Sequence, residues 1–322
     1  MVIMFPFDYR VRNSARFSPM ITAILPTTAK DISWVRAGLL SCNNFLTPQN
    51  GIAEILYVVP REEVYVFQRT LIAQKSNWRV ISEDDFVPEL RGTHWPGAHK
   101  QQVIKLLSYR NTTTPILLFL DSDTLCNTRW TAHPAASLQK LFVQPSKVVS
   151  ESRVKICSQA TAQWFGTQQY RRTSAHWGIT LQHTRVMGWT PQLLSRRGLE
   201  QAVQHLQNMH EVDLHGLFFR QPNYLWTEYA TYFLSLQDAG LWKEYHVESI
   251  PFFDIDGGGQ GVGQQISGCL HVRVNSIGDL QRVLQEDPIV PFIMVDDHHV
   301  NSTLIEELLR FSRFSSDDMG AT

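Results

Sequence analysis

The chain has 322 residues with 43% apolar and 18% charged side chains, enough for one large α/β domain or two modest ones and not the composition of a disordered chain. Lys plus Arg number 29 against 30 for Asp plus Glu, a balance that speaks against a main role in gripping nucleic acid or an anionic membrane. Four scattered cysteines without a Cys-x-x-Cys pair rule out a zinc ribbon or a dense disulfide framework, and no apolar run approaches the ~18 residues of a membrane span.

Residues 1–20 read as an N-terminal extension, and their early aromatic and charged side chains do not suit a secretion signal, so a cytoplasmic protein is expected. From there strand and helix patterns alternate. Ile21 to Leu25 is a β-rich apolar run, followed by a helix over Ile32 to Cys42 with Asp31 as its N-cap. Ile55 to Val59 is a second strand, and Glu62 to Ala73 has helical spacing with Val64, Phe67 and Leu71 on one face. Trp78 to Ile81 is a third strand entering the acidic turn Glu83-Asp84-Asp85. Lys100 to Leu107 is helical, and Ile116 to Leu120 is a fourth strand. This alternation predicts an α/β fold, a mostly parallel central sheet flanked by helices, with its binding site beyond the carboxyl ends of the strands.

The end of the fourth strand carries the chemistry. Asp121-Ser122-Asp123 delivers two carboxylates to the sheet's carboxyl edge, and in an extended chain positions i and i+2 point the same way. Carboxylate oxygens combined with substrate phosphate oxygens are what Mg²⁺ or Mn²⁺ takes as ligands, and such a cation eases departure of a nucleoside diphosphate. The plain alternative is a strand-end turn with two solvated acids.

The order of motifs over some 280 residues is more specific than any one of them. Trp95 with Gln101-Gln102 and Lys105 comes first, then Leu118-Phe119-Leu120-Asp121-Ser122-Asp123, then Trp189-Thr190-Pro191, then Trp226-Thr227-Glu228-Tyr229-Ala230-Thr231-Tyr232. From Ile21 to about Val300 this layout resembles a GT-A glycosyltransferase. More narrowly, it resembles a bacterial group of glycosyltransferase-like proteins mostly without an assigned substrate. Pro96-Gly97 sets Trp95 further from Gln101 than in that group.

The resemblance implies a GT-A-like (Rossmann-like) catalytic domain over 21–300. Within 301–322 the capping box Thr303-x-x-Glu306 opens a C-terminal helix, and Ser315 to Thr322 read as a disordered tail. It implies a nucleotide-sugar donor, a glycan or small-molecule acceptor, Mn²⁺ or Mg²⁺ as cofactor, and a place in glycan or polysaccharide biosynthesis. Asp121 and Asp123 would hold the metal, with His298 or His299 completing its shell. Asp31 would contact the nucleoside, Gln101 and Lys105 the phosphate or sugar, and Trp177 the donor sugar, its segment being expected to border a glycine-containing strand. Glu228 would be the catalytic base, because a partly desolvated carboxylate suits an acceptor hydroxyl. Each has a plainer reading: a helix cap for Asp31, an amphipathic helix face for Gln101 and Lys105, a core tryptophan for Trp177, a structural salt bridge for Glu228, and a solvated acidic turn for the histidines. A second Asp-x-Asp at Asp254 and Asp256 heads the glycine-rich run 257–263, which reads as a lid or a flexible connection. Two other functions fit the same sheet: a nucleotidyltransferase, which usually has a glycine-rich loop where this chain has Pro26-Thr27-Thr28-Ala29-Lys30-Asp31, and a non-catalytic carbohydrate-binding relic.

Overall fold

Four of the apolar runs become parallel strands of one sheet. In the computed structural model β1 (Ile21–Pro26), β2 (Ile52–Val59), β3 (Trp78–Ser82) and β4 (Ile116–Phe119) lie in the order β3-β2-β1-β4, all mutually parallel. The described residues are 21–42, 46–71, 77–126, 143–144, 153–160, 164–181, 185–187, 190–220, 225–251, 253–255, 269–272 and 292–295. The expected helix over Ile32–Cys42 is α1, α2 is Val64–Leu71, the acidic turn after β3 is a short helix α3 (Glu83–Phe86), and α4 is Gly97–Leu107. The α/β class and the mostly parallel sheet therefore stand as expected.

The period-2 alternation of the strands divides the core in two. Ala23 and Leu25 of β1, Tyr57 and Val59 of β2, and Leu118 of β4 face a layer that includes Val35 of α1 and Phe67 and Leu71 of α2. Ile24, Leu56, Val58, Leu117 and Phe119 face the opposite layer, which includes Val103, Ile104 and Leu107 of α4. By the same parity Asp121, two residues past Phe119, falls on the α4 side.

The rest of the chain completes this second layer and adds two small sheets. β5 (Thr124–Cys126), β6 (Val143–Gln144), β7 (Arg153–Ala160), α5 (Trp164–Trp177) and β8 (Arg185–Met187) come next. β9 (Gln192–Ser195) then joins the main sheet antiparallel to β4, with Gln192 opposite Phe119. It leads into α6 (Arg196–His210), α7 (Leu214–Phe218), α8 (Glu228–Asp238) and α9 (Trp242–Tyr245). β10 (His246–Pro251) pairs with β7, while β11 (Phe253–Ile255), β12 (Cys269–Val272) and β13 (Phe292–Val295) form a sheet with β5. α8 is buried from Glu228 to Leu236, so it packs as a central helix and not as an amphipathic surface one. Among the described residues no helix is long and apolar enough to cross a membrane.

Two local expectations need correction and one is refined. Asp31 directly precedes α1 as expected, and it is also the last residue of a 3₁₀ turn over Ala29–Asp31 that runs into the helix. β2 starts at Ile52, earlier than the apolar run from Ile55, because Gly51 (φ 91°) reverses the chain just before it. The segment around Trp177 is the end of α5, with Gly178 at φ 67° in the left-handed region that closes helices, and the strand that follows, β8, begins only at Arg185. The extension 1–20, the capping box Thr303-x-x-Glu306 and the tail lie outside the described residues.

The two-sided burial of β4 gives a stability test. Phe119 is 0% exposed, so Phe119→Ala should lower the unfolding free energy by about 3–5 kcal/mol. Val66→Ala, on the open face of α2 at 44% exposure, should stay within about 0.5 kcal/mol. Urea denaturation followed by circular dichroism checks both.

Candidate active site

The acidic pair does not sit in an extended chain as expected. Thr124 N–H donates to Asp121 O at 3.1 Å, and Asp121 N–H donates to Thr124 Oγ1 at 3.1 Å, so residues 121–124 form a turn with a side-chain clasp. Alternation therefore aims Asp121 but not Asp123, which is half-buried in the turn itself. Helix α1 packs tightly on this turn. A Cβ built on Gly38 would lie 2.7 Å from the Thr124 carbonyl oxygen, so only glycine lets the helix approach this closely.

Asp121 meets two residues from elements far apart in sequence. The Lys105 ammonium, on the third turn of α4, donates to Asp121 Oδ1 at 2.9 Å and to Glu228 Oε1 at 3.0 Å. Its third bond goes to Thr190 Oγ1 at 3.3 Å, just ahead of β9, and Thr190 Oγ1 in turn lies 2.8 Å from the Tyr229 hydroxyl. The ammonium also stands 5.3 Å from the centre of the Tyr229 ring, within cation–π range. Burial by itself pulls the Lys105 pKa down. Asp121, Tyr229 and Glu228 outweigh that and hold it well above the ordinary lysine value, so Lys105 stays charged through the neutral range. Burial pushes the Tyr229 hydroxyl far up, so it remains a neutral phenol.

A lysine has three N–H donors, and all three have protein acceptors here. With 4% of its side chain exposed, Lys105 offers nothing to a donor phosphate or sugar, which corrects the role expected for it. Glu228 occupies the first turn of α8, behind Thr227, where the helix dipole favours a carboxylate. α5 fixes that end: Thr173 Oγ1 accepts from Thr227 N–H at 3.2 Å, and the Trp177 indole N–H donates to Thr231 Oγ1 at 3.0 Å. Trp177 itself is 4% exposed and packed against Trp226, Phe218, His176 and His210. It is the core tryptophan of its two readings, and its faces are not open for stacking on a donor sugar.

The remaining candidates lie around this centre. Gln101 is half-buried one helical turn before Lys105 on the same side of α4. Asp31 accepts from Thr28 Oγ1 at 3.3 Å in the loop after β1, and Glu63 Oε2 holds that loop through the Ala29 N–H at 2.6 Å. Asp84 and Asp85, after β3, are bridged by Arg61 at 3.1 and 2.8 Å, with Asp85 also held by the α3 cap Ser82. Asp254 belongs to β11, while Asp256 and the glycine run lie outside the described residues. His298 and His299 also lie outside them. β13 is antiparallel to β5 with Met294 opposite Thr124, so its end at Val295 lies beside the acidic turn.

The donor set suits a hard divalent cation that shares its shell with a substrate. Asp121 Oδ2 accepts no bond from a described residue, and the Asp121 side chain is 30% exposed. Asp123 adjoins it in the turn. Among the described residues no group of three or more His, Cys, Asp or Glu could hold a metal ion alone. One or two carboxylates completed by phosphate oxygens is how Mg²⁺ is usually held beside a phosphorylated ligand.

Fold and edge together define an α/β protein with an acidic, lysine-centred site at the carboxyl end of its sheet. The chain belongs to a family of unknown function, DUF6492, which matches residues 18–253. No curated protein matches it. Among solved structures it is similar to mouse xyloside xylosyltransferase 1 in the apo form, at 10% identity and TM-score 0.43 over 88% of this chain and 98% of that one. It is also similar to the galactosyltransferase LgtC in complex with donor and acceptor sugar analogs, at 11% identity and TM-score 0.42 over 90% and 95%. A shorter likeness is to glucosyl-3-phosphoglycerate synthase from Mycobacterium tuberculosis in complex with Mn²⁺, uridine diphosphate and glucosyl-3-phosphoglycerate, at 18% identity and TM-score 0.24 over 33% and 34%. The chain thus spans about a third of the length of that synthase.

Thr190, Tyr229, Thr124 and Gly38 are not among the expected site residues. Thr190 and Tyr229 each stand inside one of the sequence motifs, next to residues singled out for other reasons, whereas nothing in sequence marks Gly38. Its close approach predicts that Gly38→Ala, which must move α1 or the turn, destabilises the fold by about 1–3 kcal/mol. Gly97→Ala, where a Cβ meets nothing within 4 Å, should leave stability unchanged or slightly raised. Thermal unfolding of the two variants measures the contrast.

Proposed function

We propose that this protein is a metal-dependent glycosyltransferase of GT-A type, moving a sugar from a nucleotide-sugar donor to an acceptor hydroxyl in glycan or polysaccharide assembly. One observation carries the reading. Asp121, at the carboxyl end of β4, is gathered with Glu228 around the buried Lys105 ammonium at 2.9 and 3.0 Å, on the edge where sheets of this kind receive their ligands. An acidic turn that were merely solvated would not be tied to a second carboxylate from a helix more than a hundred residues away.

In this reading Asp121 and Asp123 hold Mn²⁺ or Mg²⁺, with His298 or His299 as a further ligand. The β13 register, Met294 opposite Thr124, supports the histidines by ending that strand near the turn. When bound, the cation would supply charge neutralisation for a departing nucleoside diphosphate. Asp31 serves the nucleoside from the loop after β1, and Gln101 contacts the donor's phosphate or sugar. Glu228 accepts the acceptor's proton through Oε2, which takes no bond from a described residue, while Oε1 is held by Lys105. The acceptor oxygen then bonds to the anomeric carbon as the bond to the diphosphate oxygen breaks. A base on the acceptor side implies inversion by a single displacement.

The test is turnover of nucleotide sugars, followed by release of nucleoside diphosphate, with and without Mn²⁺. Asp123→Asn should abolish metal-dependent turnover while the far-UV spectrum stays native; full activity in that variant removes the assignment. Glu228→Gln should keep donor binding but slow transfer to acceptor by about 10²–10⁴-fold, and an unchanged transfer rate would demote Glu228 to a structural ion pair.

A further inference from the structure

A purely acidic edge would be the simplest way to attract a divalent cation, yet this edge already contains a cation. Lys105 spends its three protons on Asp121 Oδ1, Glu228 Oε1 and Thr190 Oγ1, at 2.9, 3.0 and 3.3 Å, behind a surface that leaves it 4% exposed. It can neither leave for solvent nor reach a substrate without breaking these bonds. Tyr229 covers it with its ring and anchors Thr190 through its hydroxyl, so the third acceptor is itself held in place.

We infer that Lys105 is a positioning residue and the resident counter-cation of this edge, which keeps affinity for a free divalent cation low until an anionic diphosphate comes with it. The inference rests on reading the edge as a metal site. Two carboxylates, Asp121 and Glu228, share the edge with one ammonium, and Asp123 follows in the same turn. The charge of Asp121 is already largely met at Oδ1, and a second cation drawn to Oδ2 is repelled by the ammonium fixed behind the same carboxylate. Such a repulsion is strong here because the ammonium is desolvated and immobile. A diphosphate supplies its own negative charge and oxygen ligands, so the cation and diphosphate are accepted together far better than the cation alone. By reciprocity the cation must tighten diphosphate binding by the same factor. Lys105 also fixes which oxygen of Asp121 is offered, since Oδ1 is engaged and Oδ2 is not.

Binding of Mn²⁺ to the full chain, read by loss of the free-ion electron paramagnetic resonance signal, tests this without any turnover. In the wild type, uridine or guanosine diphosphate should tighten Mn²⁺ binding about tenfold or more. Lys105→Met should bind Mn²⁺ alone about tenfold tighter than the wild type, with a smaller gain from the diphosphate, whereas Lys105→Arg, which keeps the charge, should stay close to the wild type. Lys105→Met with Glu228→Gln removes one charge of each sign, leaves the partly exposed Asp121 as the only carboxylate that loses its partner, and decides the matter if the single variant does not fold. It too should bind Mn²⁺ alone more tightly. Unchanged or weaker Mn²⁺ binding in whichever of these variants folds overturns the inference, because a purely structural lysine would alter the melting temperature and not the metal affinity in this direction. Asp123→Asn separates the two levels. If it loses Mn²⁺ binding, the metal site stands whatever Lys105 does, and if it binds like the wild type, the metal site itself falls.

Discussion

One ammonium group ties together three parts of the chain that lie far apart in sequence. Lys105 lies 16 residues from Asp121, 85 from Thr190 and 123 from Glu228 in sequence, and bonds to all of them. Carrying charges of both signs into the interior is expensive unless every donor and acceptor is matched, and removing one partner of such a pair typically costs about 3–5 kcal/mol. Matching is met here without surplus: three protons, three acceptors, and a tyrosine ring over the remaining face. The chain therefore cannot shift α4, β4 or α8 independently without stranding a charge. That constraint is what turns a turn at the end of a strand into a site with defined geometry.

The surrounding fold serves the same end. Gly38 lets α1 press on the acidic turn, and the Thr124 clasp fixes the turn from within. On the far side Thr173 and Trp177 of α5 grip the first turn of α8, so Glu228 is aimed by a helix whose own start is bonded to a neighbour. β9 pairs antiparallel with β4 and so begins at the carboxyl edge, which carries Thr190 to Lys105. Rigid support on both sides and an accessible carboxylate between them is the arrangement expected of a site that must receive a charged ligand without rearranging.

Much of this is legible in the sequence because it depends on local pattern. Strand alternation in Ile116 to Leu120 and helical spacing in α1 and α4 follow from periodicity alone, and so does the placement of Asp121 at the carboxyl edge. Lys105 and Glu228 stand out as site residues through the resemblance, but their mutual bonding does not, since nothing local says which partner a buried lysine will choose. That contact is set by tertiary packing of α4 against α8, and it changes the role of Lys105 from a phosphate donor to an internal cation. Trp177 is misplaced for a related reason. An aromatic near a glycine suits a sugar platform and a helix end equally well, and only the long α5 pattern, weak in apolar periodicity, distinguishes the two. Gly38 cannot be found in this way, because a missing Cβ has no signature until the atom it would strike, the Thr124 carbonyl oxygen, is in place.

The most direct measurement is anomalous diffraction at the manganese edge from crystals grown with Mn²⁺ and a nucleoside diphosphate. A metal site at the acidic turn requires an anomalous peak within bonding distance of the Asp121 and Asp123 carboxylates, with Lys105 still donating to Asp121 and Glu228 behind it. A nucleotide bound at the sheet's carboxyl edge with its manganese elsewhere, or a Lys105 ammonium swung onto the phosphate, would contradict it.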